Sequence, residues 1–185
     1  MSGKVVVNRC MSLDGFIAGP GHSMDFGGGR AVADFVDPDD LAEIAAATGA
    51  MLVGRRTWEV GERMQAEEPG DADYPFSGPM FLLTHRPLER PNPAVTILTG
   101  DIGDAVATAL DGAGDKNVEV LGADVAGQCL QRGLVDEILV YVLPVLLGDG
   151  IPFSAPGLTR TDLEPVSSTR SRDATILRFR VRQPG

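Results

Sequence analysis

The stretch "MLVGRRTWEVG" (residues 51–61) decides how the chain is read. Met51, Leu52 and Val53 form a short apolar run that stops at Gly54. Arg55, Arg56 and Thr57 follow, and then Trp58, the only tryptophan. An apolar run closed by a glycine reads as a buried strand turning out of a sheet. Two cations at that point need a reason, because the whole chain carries a net charge of −10.

Upstream of this strand, Asp37-Pro38 fits an N-cap followed by a first-turn proline. Leu41, Ile44 and Ala45 recur at helical spacing, so a helix is expected there, ended by Gly49, with the strand over 50–53. Val5, Val6 and Val7 read as a first strand, and the glycine-rich run 11–30 reads as a long loop. Downstream, 66–79 is acidic and rich in Pro and Gly, which predicts a surface loop. Strands are expected at 80–83, 95–98 and 118–121. Asp101 is placed to cap a helix whose Ile102, Ala105, Val106, Ala109 and Leu110 match one helical face. Val125, Ala126, Cys129 and Leu130 mark the next helix, stopped by Gly133. Residues 137–143 are apolar on both faces and predict a central strand; 144–152 reads as a loop and 175–181 as a last strand. Strands alternating with helices, then a strand-rich end, give an α/β sheet covered on both faces, expected as one domain over 1–185.

Composition narrows the function. The 185 residues suffice for a proper core, and 43% apolar residues mark a folded protein. Aromatics at 5% make that core aliphatic. The negative charge argues against nucleic acid and anionic membranes as partners. No run approaches the length of a membrane span, and the N-terminal apolar run is too short for a signal peptide, so a cytoplasmic location is expected. The cysteines, Cys10 and Cys129, and the histidines, His22 and His85, do not form a metal-ligand set. Cys129 reads as packing, Trp58 as core, Asp136-Glu137 as a structural cap and His22 as solvated.

In sheets of this kind ligands bind at the carboxyl ends of strands beside helix N-termini. Three segments have that form: Gly54-Arg55-Arg56-Thr57, Thr84-His85-Arg86 and Gly122-Ala123-Asp124. Their guanidinium forks, hydroxyls and imidazole can hold a phosphomonoester, while Gly122 and the helix after it suit a pyrophosphate. Each segment alone also fits a plain turn with solvated arginines; the three together favour a nucleotide. Asp14, Met24, Asp25, Phe26 and Phe153 lie in loops that could line a substrate pocket, or serve turns and core.

"GRRTWE" (54–59) is similar to the Gly-Arg-x-Thr-Trp/Tyr-Glu motif of dihydrofolate reductases and of the reductase domain of bacterial riboflavin biosynthesis. "SLDGFIA" (12–18) resembles the first loop of that superfamily, and residues 121–153 resemble the riboflavin-reductase branch. The match runs through nearly the whole chain in order. The resemblance implies a dihydrofolate reductase-like fold, three α/β/α layers with a mixed, mostly parallel sheet, and an NADPH site. By position it places Gly54, Arg55, Arg56 and Thr57 at the 2′-phosphate and pyrophosphate, with Thr84, His85 and Arg86 across the adenosine phosphate. Gly122, Ala123, Asp124, Val125 and Ala126 meet the pyrophosphate, and the backbones of Cys10 and Ile17 face the nicotinamide carboxamide. The family's Gly-Gly pair stands here as Gly122-Ala123.

The dihydrofolate reductase acid falls on Pro38, next to Asp37, Asp39 and Asp40, so folate reduction is disfavoured and no catalytic residue is assigned. The branch commonly forms homodimers, which is expected here. Three functions stay open: a reductase of a small heterocyclic or carbonyl/imine substrate, the 5-amino-6-(5-phosphoribosylamino)uracil reductase of riboflavin biosynthesis, and a non-catalytic nucleotide-binding domain. The riboflavin reaction would need extra cations for a phosphoribosyl group, and only Lys4, Arg9 and Arg30 are near in sequence.

Overall fold

The computed structural model describes residues 3–26, 32–67, 76–86, 88, 92–154 and 157–182. Its centre is an eight-stranded sheet. The strands are β1 (Val5–Ser12), β3 (Thr48–Gly54), β4 (Met80–Leu83), β5 (Val95–Leu98), β6 (Asn117–Leu121), β7 (Glu137–Leu143), β9 (Leu163–Ser171) and β10 (Ala174–Val181). Their spatial order is β5-β4-β3-β6-β1-β7-β10-β9. The first six in that order are parallel, and β10 and β9 close the sheet antiparallel. A separate pair, β2 (Phe16–Ala18) with β8 (Ile151–Pro152), is antiparallel.

Four helices cover the sheet: α1 (Pro38–Ala47), α2 (Arg55–Glu67), α3 (Ile102–Ala113) and α4 (Ala123–Gln131). Side chains alternate across each strand, so parity sorts them between the two faces. Val5, Val7, Ala50, Leu52, Val118, Val120, Ile138 and Val140 pack with α3 and α4. Val6, Leu139, Tyr141 and Leu143 pack with Leu41 of α1, and Met51 and Val53 pack beneath Trp58 of α2. The result is the expected mixed, mostly parallel sheet between two helix layers. Right-handed crossovers explain the segregation, since leftward steps put α1 and α2 on one face and rightward steps put α3 and α4 on the other.

Local chemistry sets the helix starts. The Asp37 carboxylate accepts from Asp39 N at 3.0 Å, and Asp101 accepts from Gly103 N at 2.8 Å, each cap contributing about 1 kcal/mol. Asp136 Oδ2 accepts from Val5 N at 2.8 Å, a structural tie at the start of β1. Cys129 is fully buried, and burial pushes its thiol up to about 12.

Several expectations are corrected. The first loop begins later than residue 11, because β1 continues to Ser12 and β2 forms beyond the turn. That turn is held by Asp14, whose carboxylate accepts from Ser12 Oγ at 2.6 Å, Leu147 N at 3.1 Å and Gly148 N at 2.7 Å. Gly49 does not end α1; the helix stops at Ala47 and Gly49 already lies in β3. A Cβ on Gly49 would sit 2.3 Å from the Ala113 carbonyl oxygen, so the glycine permits α3 to end against the strand. The loop expected from residue 66 starts later, because α2 continues to Glu67; residues 68–75 lie outside the described set. Strand β9 was not foreseen. It is an edge strand exposed along most of its length, with Pro165 inside it, so no apolar alternation marks it. Trp58, expected in the core, is only half-buried.

Two outcomes follow. Leu52, fully buried between β4 and β6, should cost about 2–5 kcal/mol when changed to Ala, measured by guanidinium unfolding, whereas the same change at exposed Leu146 should be within about 0.5 kcal/mol. The hydrogen bonds from Ser12 and Gly148 hold the Asp14 carboxyl below its ordinary 3.8. The stability it adds is complete above that pH and is lost as pH falls below it. Asp14→Asn should therefore lower the Tm by a few degrees at neutral pH and not at all in acid; an equal drop at both would show that the charge plays no part.

Candidate functional site

Strands β3 and β6 are neighbours, yet α2 leaves β3 toward one face and α4 leaves β6 toward the other. That divergence opens a crevice at their carboxyl ends, flanked by two helix N-termini. The walls are close. A Cβ on Gly122 would lie 2.4 Å from Thr57 Oγ1, and one on Gly54 would lie 2.8 Å from a Val125 methyl. Gly122 has φ +95°, open to glycine and strained for other residues. It stands at the N-cap of α4 with no side-chain cap, leaving the first N–H groups of that helix unclaimed by a capping side chain.

The segments singled out in the sequence meet here in part. Arg55 donates from Nη1 to the Arg86 carbonyl at 3.0 Å and from Nε to Glu59 at 2.7 Å. The Thr84 hydroxyl accepts from Arg86 N and donates to Arg86 O, both at 3.2 Å, shaping the turn after β4. The β3–α2 and β4 turns are thereby tied together. Arg56, His85 and Arg86 are exposed, while Thr57 and Ala123 are half-buried. Asp124, in the first turn of α4, is exposed and accepts from Gln128 Nε2 at 3.0 Å. Val125 and Ala126 are buried on the inner face of α4, so any contact they make with a ligand comes from backbone N–H groups.

The residues expected on the nicotinamide and substrate side lie along β1 and the β2–β8 pair. Cys10 is half-buried and sits opposite Tyr141 in the β1–β7 register. Ile17 is half-buried in β2. Phe153 N donates to the Gly15 carbonyl at 2.9 Å, which ties the segment after β8 to the β1–β2 turn. Two of the substrate-side expectations find structural employment instead. Phe26 is buried among Phe35, Leu41 and Tyr141, and the Asp14 carboxylate is engaged by the 147–148 backbone. Asp37 is the cap of α1, and Asp40 accepts from Ser171 Oγ, so neither carboxylate is aimed at the crevice. Asp39 is exposed.

Sequence reading passed over two features. In the sequence Arg9 stands out only as a cation near the first loop. It is buried, donates from Nη2 to the Gly122 carbonyl at 2.7 Å and from Nη1 to the Phe153 carbonyl at 2.8 Å, and lies 5.3 Å from the Phe153 ring centroid. Burial lowers its pKa to about 10. The second is a polar seam on the α1 face. Buried Glu119 accepts from Asn8 Nδ2 at 3.1 Å and from Thr48 Oγ1, and the Tyr141 hydroxyl on the same face is buried without a hydrogen-bond partner. The available signal in each case was a charge inside an otherwise apolar strand. Among the described residues no group of His, Cys, Asp and Glu could hold a metal, and no helix is long and apolar enough to cross a membrane.

Known structures share this architecture. A protein ascribed to riboflavin biosynthesis in Shewanella sp. PV-4 superposes with a TM-score of 0.78 at 22% identity, over 97% of this chain and 99% of that one. A diaminohydroxyphosphoribosylaminopyrimidine deaminase/5-amino-6-(5-phosphoribosylamino)uracil reductase from Thermotoga maritima gives 0.67 at 13% identity, over 97% of this chain but 57% of that one. The chain thus spans little more than half of that protein. A pyrimidine reductase-like protein from Corynebacterium diphtheriae gives 0.64 at 15% identity, over 98% and 93%. No curated protein sequence matches the chain. The model of the RibD C-terminal domain matches residues 3–177, nearly the full length, and with it the chain belongs to the RibD C-terminal domain family, a family of reductases.

Proposed function

We propose that the chain is an NADPH-dependent reductase that delivers a hydride to a small heterocyclic or carbonyl/imine substrate. The observation that carries this reading is the start of α2. It opens on Arg55 and Arg56 and has no acid in its first turn. Cations at a helix N-terminus oppose the macrodipole. A bound phosphate reverses that sign, because the helix N–H groups and both guanidinium groups then attract one anion.

The crevice fits a dinucleotide phosphate. A Cβ at Gly122 would fill the space against Thr57, so the glycine keeps open a cradle beside the uncapped N-terminus of α4. Arg56, with Arg55 and Arg86, would hold the 2′-phosphate. Thr57 and the N–H groups of Ala123 to Ala126 would hold the pyrophosphate, with Gly54 allowing the approach of α4. Thr84 and His85 would flank the adenosine, and the backbones of Cys10 and Ile17 would meet the nicotinamide carboxamide. When bound, the cofactor supplies the hydride; the protein orients its ring against the electrophilic carbon and excludes water. Binding of the nicotinamide end between β1 and the β2–β8 pair would leave the substrate near Phe153.

A substrate without a phosphate is favoured. Lys4 is paired with Glu137 at 2.5 Å, at the end of β1 away from the crevice, and Arg9 is held under Gly122. Arg30 lies outside the described residues. Reduction of 5-amino-6-(5-phosphoribosylamino)uracil is the second reading, supported by the activity printed for the Thermotoga relative. A homodimer, as in the branch it resembles, is part of the same proposal.

Two outcomes test this. Arg56→Ala should weaken NADPH about tenfold while changing NADH about twofold or less, measured by titration calorimetry; equal affinity of the native protein for both cofactors would remove the 2′-phosphate assignment. An NADPH-oxidation screen across pterins, pyrimidines, carbonyl compounds and the phosphoribosylaminouracil should show turnover with an unphosphorylated heterocycle. Turnover with the phosphoribosyl compound alone would establish the second reading, and tight NADPH binding with no turnover at all would point to a nucleotide-binding module.

A further inference from the structure

Arg9 is a buried cation without a counterion. Two of its three nitrogens donate to backbone carbonyls, at Gly122 and Phe153, and its Nε is buried with no partner. Among the described residues no carboxylate is ion-paired with it, and burial lowers its pKa. An unneutralised guanidinium in an interior is costly, and an apolar residue of similar length would satisfy the packing around it more cheaply. The placement accounts for that cost. Gly122 opens the turn that leads into α4, and Phe153 follows β8 and is tied to the β1–β2 turn. One side chain therefore braces a wall of the crevice to the segment after β8 and brings a positive charge beneath an uncapped helix N-terminus.

We propose that Arg9 is a positioning residue for the pyrophosphate of a bound dinucleotide. Its fork fixes the Gly122 carbonyl, which turns the free N–H groups of α4 into the crevice. Its charge meets the Phe153 ring and two carbonyls but no protein anion, so that the ligand's anion can serve as its counterion. This rests on the nucleotide reading above and adds a determinant that the surface arginines do not supply. Arg55, Arg56 and Arg86 address the 2′-phosphate side, whereas Arg9 acts on the pyrophosphate side and acts through Gly122.

The test compares the native protein with Arg9→Met and Arg9→Lys, using ADP and NADPH as probes, binding measured across a series of salt concentrations, and Tm recorded for each variant. ADP carries a pyrophosphate and no 2′-phosphate, so it reports the pyrophosphate side without the contacts proposed for the 2′-phosphate. Arg9→Met should weaken both probes at least tenfold, flatten the dependence of log Kd on log salt, and leave Tm within a few degrees, since relief of a desolvated charge offsets the two hydrogen bonds lost. Arg9→Lys keeps the charge and loses the fork; it should restore the salt slope and about half of the lost affinity on a logarithmic scale. Wild-type affinity and slope in Arg9→Met, or a large fall in Tm with unchanged affinity in the folded fraction, would make Arg9 a structural strut and overturn the proposal. Should Arg9→Met not fold, Arg9→Lys decides: a weakened ADP affinity at native slope supports the brace, and native affinity overturns it. If the native protein binds ADP but not NADPH, the reductase reading fails while Arg9 is still judged on ADP; if it binds neither, both fall.

Discussion

The contact of Gly122 with Thr57 governs the carboxyl edge of the sheet. It exists because β3 and β6 are adjacent while their helices depart to opposite faces. The two strand-to-helix turns must then pass each other at close range, and a Cβ at either Gly54 or Gly122 would collide with the opposing turn. Close passage brings two helix N-termini to one crevice, and there the partial charges of their free N–H groups add. The arginines of the β3 and β4 turns add full charges to this edge. In a chain of net charge −10 these cations are a local feature of the edge where α2 and α4 diverge.

Much of this was legible in the sequence because the central strands are buried on both faces. β7 has no charged residue after Glu137, and it lies between β1 and β10. The caps at Asp37 and Asp101 were legible for a different reason: a short side chain that accepts from a nearby N–H is a local interaction and leaves a local signature. What was not legible was non-local or exposed. β9 gains its place by pairing with β10, and its outward faces carry Ser, Thr and Arg, so nothing in its own composition required a strand. The β2–β8 pair joins segments more than 130 residues apart and is made of strands of three and two residues. Gly49 was read as a helix stop when its role is to admit the end of α3, a contact that only the fold creates.

The site divides in the same manner. The half proposed for the cofactor is built from motifs that each follow a strand, so each motif lies at the carboxyl end of its own strand, on one edge of the sheet. The half proposed for the substrate draws on the β1 end, the segment after β7 and the segment after β8, and no motif spans them. Phe26 and Asp14 show the consequence. Each sits in a glycine-rich stretch that invites a functional reading, and in the structure one fills the core and the other ties a turn. Arg9 shows the converse. A charge inside a valine-rich strand looks incidental until the partners are known, and both of its carbonyl acceptors lie more than 110 residues away.

The Gly122-Ala123 pair, where the family has two glycines, can be understood from the backbone. Only the first position carries a positive φ, and only its Cβ would strike Thr57. Ala123 begins α4 and is absent from the residues with left-handed backbone, so its methyl sits on an ordinary helical position. Alanine is the best helix former, and in the first turn it fixes the N–H groups that follow more firmly than glycine does. The demand for glycine at this turn is therefore a demand at one residue. The second is free to be alanine so long as the ligand approaches along the N–H groups rather than over the methyl, which is the direction in which an uncapped helix N-terminus presents them.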